Sequence, residues 1–231
     1  MPRTAGKYIS CVIAAGLVTL AAGLHQWESP DPIRYLGVLV LALLASTCKV
    51  RLPGMTGTYS LSFLFILLSI ADFSFAETVV LGCAATVVQC LRHAKQRPKF
   101  IQVLFNVANI ALSIAVAYFL PRLVVTRVLP GNLAVLLALA ASLYWVTNTV
   151  LVSGVLSLIE QKPLQKVWAQ WFLWSFPFHL VGAAITGLIS LSSRYVGWKS
   201  VLLVLPLMYL VYFYYRLSAE NHSGDKSGLT A

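Results

Sequence analysis

Long apolar runs, each closed by charge, proline or glycine, follow one another along the chain. A transmembrane helix needs about 20 mainly apolar residues. On that measure the pattern predicts eight spans, over residues 8–24, 35–48, 59–75, 76–91, 100–120, 132–158, 167–191 and 196–217. The count ranges from six to eight, because the second run is short and the third and fourth are separated only by Asp72-Phe73-Ser74-Phe75-Ala76-Glu77. Ser74 and Glu77 have the spacing of a capping box, in which each side chain satisfies the other residue's exposed backbone N–H. A turn is therefore expected there. Pro121 is expected to close the fifth span, since the residue before a proline is disfavoured in helical geometry. Pro177 and Pro206 are expected to kink the seventh and eighth. The fold class is all-α: a polytopic integral membrane helix bundle over 1–217, followed by a short polar cytoplasmic tail over 218–231.

Composition turns this pattern into an exclusion. Hydrophobic residues make up 59% of the chain and charged residues 10%, against about 45–50% and 25% in soluble domains. Mean hydropathy is +0.81, so a water-soluble domain is ruled out and lipid must be the main solvent. Four scattered cysteines without a CxxC pair give neither a disulfide framework nor a zinc site. Cys83 and Cys90, two turns apart, are expected to be packing residues. No cofactor or metal is predicted.

Charge sets the orientation. With the N-terminus cytoplasmic, Arg34, Arg122, Arg127, Arg194 and Lys199 fall outside and the remaining 12 of the 17 basic residues inside. The positive-inside rule then places both termini in the cytoplasm. The net charge of +10 does not point to nucleic acid, because its main cluster, Arg92 to Lys99, lies between two spans. Retention and attraction to anionic headgroups explain it, with an acidic cytoplasmic partner as the alternative. Arg3 and Lys7 ahead of an apolar run ending in Ala21-Ala22-Gly23 also fit a cleaved signal peptide. The run is long for that role, and the downstream charge pattern favours retention.

Polar groups inside the bilayer are costly, so they carry the functional information. Gln102, Asn106, Asn109 and Ser113 stand at i, i+4, i+7 and i+11, one stripe of the fifth span. Tyr144, Thr147, Asn148 and Ser153 mark the sixth. Trp168, Trp171, Ser175, His179, Gly182 and Thr186 mark the seventh. Together these helices are expected to line a polar, aromatic-walled pocket for a small-molecule or lipidic ligand, with Gln102, Asn106, Asn109, Ser113, Tyr144, Thr147, Asn148, Trp171, Ser175 and His179 as its residues. The competing reading is that the amides and hydroxyls only bond helix to helix. Val107-Ala108-Asn109 echoes Val146-Thr147-Asn148 at an offset of 39, which puts an asparagine at similar depth in each helix. Trp168, Trp171 and Trp174, with Tyr214 and Tyr215, lie near span ends and are expected as interfacial anchors. His179, the one histidine within a span, is expected to be a packed hydrogen-bonding residue rather than a haem ligand. Asp72 and Glu77 are expected to cap the helix junction, with cation binding at the outer mouth as the alternative.

Catalytic patterns are missing from the sequence. It has no HExxH, no paired glutamates, no GxSxG elbow and no phosphate loop. It also lacks a mid-span lysine, an arginine series and a selectivity-filter signature. A non-enzymatic membrane protein is expected.

Three stretches carry a resemblance: Phe105-Asn106-Val107-Ala108-Asn109-Ile110-Ala111-Leu112-Ser113, Val146-Thr147-Asn148-Thr149-Val150-Leu151-Val152-Ser153, and Trp168-Ala169-Gln170-Trp171-Phe172-Leu173-Trp174 with Pro177 and Gly182. They resemble the multi-pass N-terminal membrane sensor modules found ahead of GGDEF and HD-GYP signalling domains in bacteria, over roughly residues 35–217. The resemblance implies a sensory or ligand-binding role at the bacterial inner (plasma) membrane and carries over no catalytic residue. Only the polar residues 218–231 follow Leu217, so the chain is expected to act through a partner such as a cytoplasmic signalling protein or a transporter subunit, to be cut from a longer protein, or to do something else. The alternatives are a small-solute transporter, or the substrate-binding membrane subunit of one, and a structural or assembly protein.

Overall fold

The computed structural model describes residues 2–47, 49–51, 58–92, 98–172 and 175–197. These form helices α1 (Arg3–His25), α2 (Pro32–Thr47), α3 (Ser62–Asp72), α4 (Phe75–Leu91), α5 (Phe100–Val128), α6 (Leu133–Glu160), α7 (Leu164–Phe172) and α8 (Phe176–Val196). A short antiparallel ribbon, β1 (Lys49–Arg51) with β2 (Thr58–Ser60), joins α2 to α3, with Val50 opposite Tyr59. The protein is an all-α bundle. Among the described residues α1, α5, α6 and α8 are long and apolar enough to cross a membrane, while α2, α3 and α4 are shorter apolar helices.

Local chemistry explains most boundaries. The capping box forms as the sequence predicts: the Ser74 hydroxyl accepts the Glu77 N–H, and the Glu77 carboxylate accepts the Ser74 N–H at 2.9 Å. Asn132 caps α6 by accepting the Val135 N–H at 3.1 Å. That helix ends at Gln161, which takes a left-handed conformation at φ 54°.

Three expectations need correction. The third span does not begin as helix at residue 59, because Thr58–Ser60 pair with Lys49–Arg51 as strand. Pro121 does not end the fifth span, and α5 continues to Val128. A proline removes one N–H and disturbs the carbonyls one turn back, which membrane helices tolerate when other groups re-satisfy them. The carbonyl that Pro121 frees is that of Ala117, and one residue on the Arg122 guanidinium turns back to the Tyr118 carbonyl at 2.7 Å. The seventh span is not one kinked helix: α7 ends at Phe172, α8 starts at Phe176, and Pro177 sits in the first turn of α8. A missing N–H costs nothing at that position. The eighth span, with Pro206, lies outside the described residues.

The core is centred on α3. Ser62 through Ile70 are all buried, leaving no polar face, as befits a helix enclosed by others. Its eleven residues rise about 16 Å, short of a hydrocarbon core of about 30 Å. Contacts fix its neighbours' directions. Arg34 at the head of α2 meets Asp72 at the tail of α3, and the Ser60 hydroxyl, just before α3, donates to the Ala45 carbonyl near the tail of α2. These two helices therefore run antiparallel. Thr186 reaches the Leu64 carbonyl and Ser190 reaches Asp72, so α3 and α8 run parallel. Exposed Leu17 and Val18 on α1 and Phe119, Leu120 and Leu123 on α5 form the outer, lipid-facing surface. Glycine permits two close approaches: a Cβ on Gly16 would collide with the Ala108 backbone, and one on Gly182 with the Phe63 ring. Small residues let helix backbones approach in this way within membranes.

Candidate functional site

The stripe predicted on α5 divides between two neighbours. Asn109 is buried and its Nδ2 donates to the Asn148 side-chain oxygen on α6 at 2.5 Å. The Asn109 oxygen is buried without a partner. Ser113 turns back to the Asn109 carbonyl at 2.8 Å, and Thr147 is half-buried on α6. Asn106 instead faces α4, donating to the Cys90 sulfur at 3.4 Å. Gln102 is exposed and caps α5, accepting the Lys99 N–H at 3.0 Å. These last two therefore stand apart from the asparagine pair. A second orphan acceptor, the buried Ser153 hydroxyl, lies farther along α6.

An aromatic network joins α6, α7 and α8. The Trp168 indole donates to the Thr149 hydroxyl at 2.9 Å, and that hydroxyl donates to the Trp145 carbonyl at 2.7 Å. The Trp145 indole donates to the Ser175 hydroxyl at 2.9 Å. His179 Nδ1 lies 2.9 Å from the Ser175 carbonyl. A carbonyl only accepts, so this nitrogen carries the proton. The His179 ring packs 4.9 Å from Phe63 and 6.4 Å from Tyr144, centroid to centroid. Ser175, His179 and Tyr144 thus come together, and His179 is packed and hydrogen-bonded as expected. Trp168, expected as an interfacial anchor, directs its N–H into the bundle. The Trp171 side chain lies outside the described residues. Trp145 was missed, and its only signal was Thr149 one turn later.

At the opposite end of α3 and α8 lies a charged cluster. Asp72 accepts from Arg34 at 2.5 Å and from the Ser190 hydroxyl at 2.8 Å, tying α2, α3 and α8 together. Asp72 therefore does not cap a helix start. It is the last residue of α3, where the helix dipole disfavours a carboxylate, and the Arg34 guanidinium offsets that. The usable signal was two opposite charges in segments assigned to the same membrane side. Arg122 donates to the Ile70 carbonyl and lies 3.5 Å from the Tyr118 ring centroid. Glu77 is buried beside this cluster, accepting from Ser29 at 2.7 Å as well as from Ser74. Among the described residues no three His, Cys, Asp or Glu side chains gather as a metal site would require.

These features describe a membrane bundle whose interior is polar at chosen points, with no catalytic constellation among the described residues. No curated protein and no solved structure matches the chain. A family model, MASE9, matches residues 33–219. MASE domains are multi-pass membrane sensor modules and are not themselves catalytic. With most of its length covered and its apolar helices built to lie in lipid, the chain belongs to the MASE9 family and is an integral membrane sensory module.

Proposed function

We propose that this chain is the non-enzymatic input module of a signalling system at the bacterial inner membrane. Residues 1–217 form the sensor, both termini face the cytoplasm, and a cytoplasmic partner of the cyclic-dinucleotide type, GGDEF or HD-GYP, produces the output. The input is a small or lipidic molecule read at the seam between α5 and α6, beside the aromatic network that leads to α8. One observation carries this reading: the Asn109 amide is buried with its nitrogen engaged and its oxygen left over. An unpaired buried acceptor costs roughly 1–3 kcal/mol, and a ligand donor would recover that cost. Tyr144, Asn148, Ser175 and His179 supply the surrounding polar and aromatic wall, with Thr147 and Ser113 at its margins. Asn106 and Gln102 stand outside it, engaged with Cys90 and Lys99.

Native mass spectrometry of the gently solubilised protein tests this directly. A retained small molecule, lost in Asn109→Leu and Asn148→Leu while both variants still fold, is the expected result. Solute uptake into vesicles that both substitutions abolish would replace sensing with transport. An empty protein in which the substitutions change only the melting temperature would reduce the seam to helix–helix contact.

A further inference from the structure

We infer that the seam between α5 and α6 takes a neutral, bilayer-dissolved lipid whose head carries a hydroxyl, that this O–H donates to Asn109 Oδ1, and that the lipid enters where α1 meets α6. The inference rests on the ligand seam proposed above and adds the chemical class of the ligand and its way in. Asn109 is 2% exposed and its Nδ2 is spent on Asn148, so the oxygen is the open atom. A carbonyl oxygen only accepts, so the ligand must donate. No Asp, Glu, Lys or Arg stands in residues 8–24, 100–120 or 133–159, the stretches of α1, α5 and α6 that surround the pair. A charged head would lie there without a counter-ion, at high cost, so the donor belongs to a neutral group. Ether, ester and ketone lipids bring only acceptors and leave Asn109 unanswered.

Depth and exposure point to the bilayer as the source. Asn109 lies about 14 Å along α5 from Phe100, and Asn148 about 18 Å along α6 from Glu160, at 1.5 Å per residue. Both helices are long and apolar enough to cross a membrane, so the pair stands at hydrocarbon depth, away from water at either end. Asn148 shares a face of α6 with Tyr144, Leu151 and Val152, at i−4, i+3 and i+4. The exposed Val146 and Val150 mark the opposite face. Asn148 is nevertheless only half-buried. Its remaining accessible surface therefore opens on the inner face, between Tyr144 and the residues that α1 covers.

The cover over this face is α1. Ile9 and Val12 pack with Phe105 and Ala108 of α5 in an apolar cluster separate from the main core, with Leu151 and Val152 of α6 against it. Towards α5 the fit is tight, since Gly16 meets Ala108 with no room for a Cβ. Towards α6 the polar tie among the described residues is one hydrogen bond, from the Tyr8 hydroxyl to the Leu151 carbonyl at 3.2 Å. The other contacts on that side are apolar, and lipid tails replace such contacts at little cost within a membrane. The α1–α6 contact is therefore the side that yields, and a lipid that wedges it open brings its head to the asparagine pair while its tail stays among apolar side chains.

The test is thermal unfolding of the full chain in nanodiscs of phosphatidylcholine, a lipid without a hydrogen-bond donor, titrated with dodecanol or with dodecyl methyl ether. A molecule that binds the folded state raises the melting temperature in a concentration-dependent way. Dodecanol is expected to act at about tenfold lower concentration than the ether, the factor equivalent to about 1.4 kcal/mol. Dodecylhydroquinone and dodecylquinone repeat the comparison with an aromatic head, and whichever hydroxyl compound acts at the lower concentration identifies the aliphatic or the aromatic source. Asn109→Leu and Asn109→Ala should each erase the preference in both pairs. Tyr8→Phe, outside the seam, unties α1 from α6 and should lower the dodecanol concentration needed by about threefold, matching the average of about 0.6 kcal/mol for a hydrogen bond between membrane helices. Equal action of the hydroxyl and non-hydroxyl members overturns the inference, as does a preference that survives in either Asn109 variant. An unchanged dodecanol titration in Tyr8→Phe overturns the entry route. A charged or water-soluble molecule retained by the purified protein and lost in Asn109→Leu would overturn this inference and leave the ligand seam standing.

Discussion

Asp72 and Asn109 are both polar groups in the protein interior, but their surroundings treat them differently. Each Asp72 oxygen has a partner from another helix, one a guanidinium on α2 and the other a hydroxyl on α8. Asn109 has one partner, Asn148, and keeps an unanswered oxygen. The first arrangement fastens three helices and gains nothing by changing. The second leaves an acceptor that a new donor can satisfy, so it suits an input. The contrast lies in the two acceptors: both Asp72 oxygens are answered, although Arg34 Nε beside them is not, while the Asn109 oxygen is the open acceptor on which the proposed ligand reading rests.

The contrast predicts a graded series of stability losses, measurable by denaturant or thermal unfolding in a single detergent. Asp72→Ala should cost the most, about 3–5 kcal/mol, because it leaves the Arg34 charge half-buried and unpaired. The double variant Arg34→Met with Asp72→Met should recover much of that loss, since it removes both charges together. Gly182→Ala comes next, at about 1–3 kcal/mol, the usual cost of overpacking, because its methyl group would strike the Phe63 ring. Trp145→Phe keeps an aromatic ring and loses the bond to Ser175, for about 1 kcal/mol. Asn109→Leu should be the mildest, near the average of about 0.6 kcal/mol for hydrogen bonds between membrane helices, while removing the response to ligand. If Asn109→Leu destabilises as much as Asp72→Ala, the seam is scaffold and the contrast fails.

Much of the architecture was legible because bilayers impose simple rules on length and charge. The capping box at Ser74 and Glu77 could be read from four residues, since both of its bonds are local. The Asn109–Asn148 pairing was legible only as two asparagines at similar depth in adjacent helices. The run through Pro121 was not legible, because local sequence does not say whether a proline ends a membrane helix or is carried within it. The break before Pro177 was hidden for a related reason: a proline inside an apolar run looks the same whether it kinks one helix or starts another. The burial of α3 was also beyond sequence reading. Its apolar residues would serve equally well against lipid or against protein, and only the packing of α2, α4, α6 and α8 around it decides. The stripe from Gln102 to Ser113 misled because periodicity gives the angle around a helix but not which neighbour stands there. Asn106 met Cys90 on α4, and Gln102 lay beyond the core.

The ties at Asp72 also impose an order on biogenesis. Arg34 leaves the ribosome 38 residues before Asp72, whereas Ser190 follows it by 118. At translation rates of about 5–20 residues per second, the second gap lasts roughly 6–24 s. Throughout that interval α3 is too short to cross the bilayer unaided, and the helix that will cover it has not been made. The Arg34–Asp72 pair can therefore form before Ser190 has been synthesised, and the third partner completes the tie only once α8 exists.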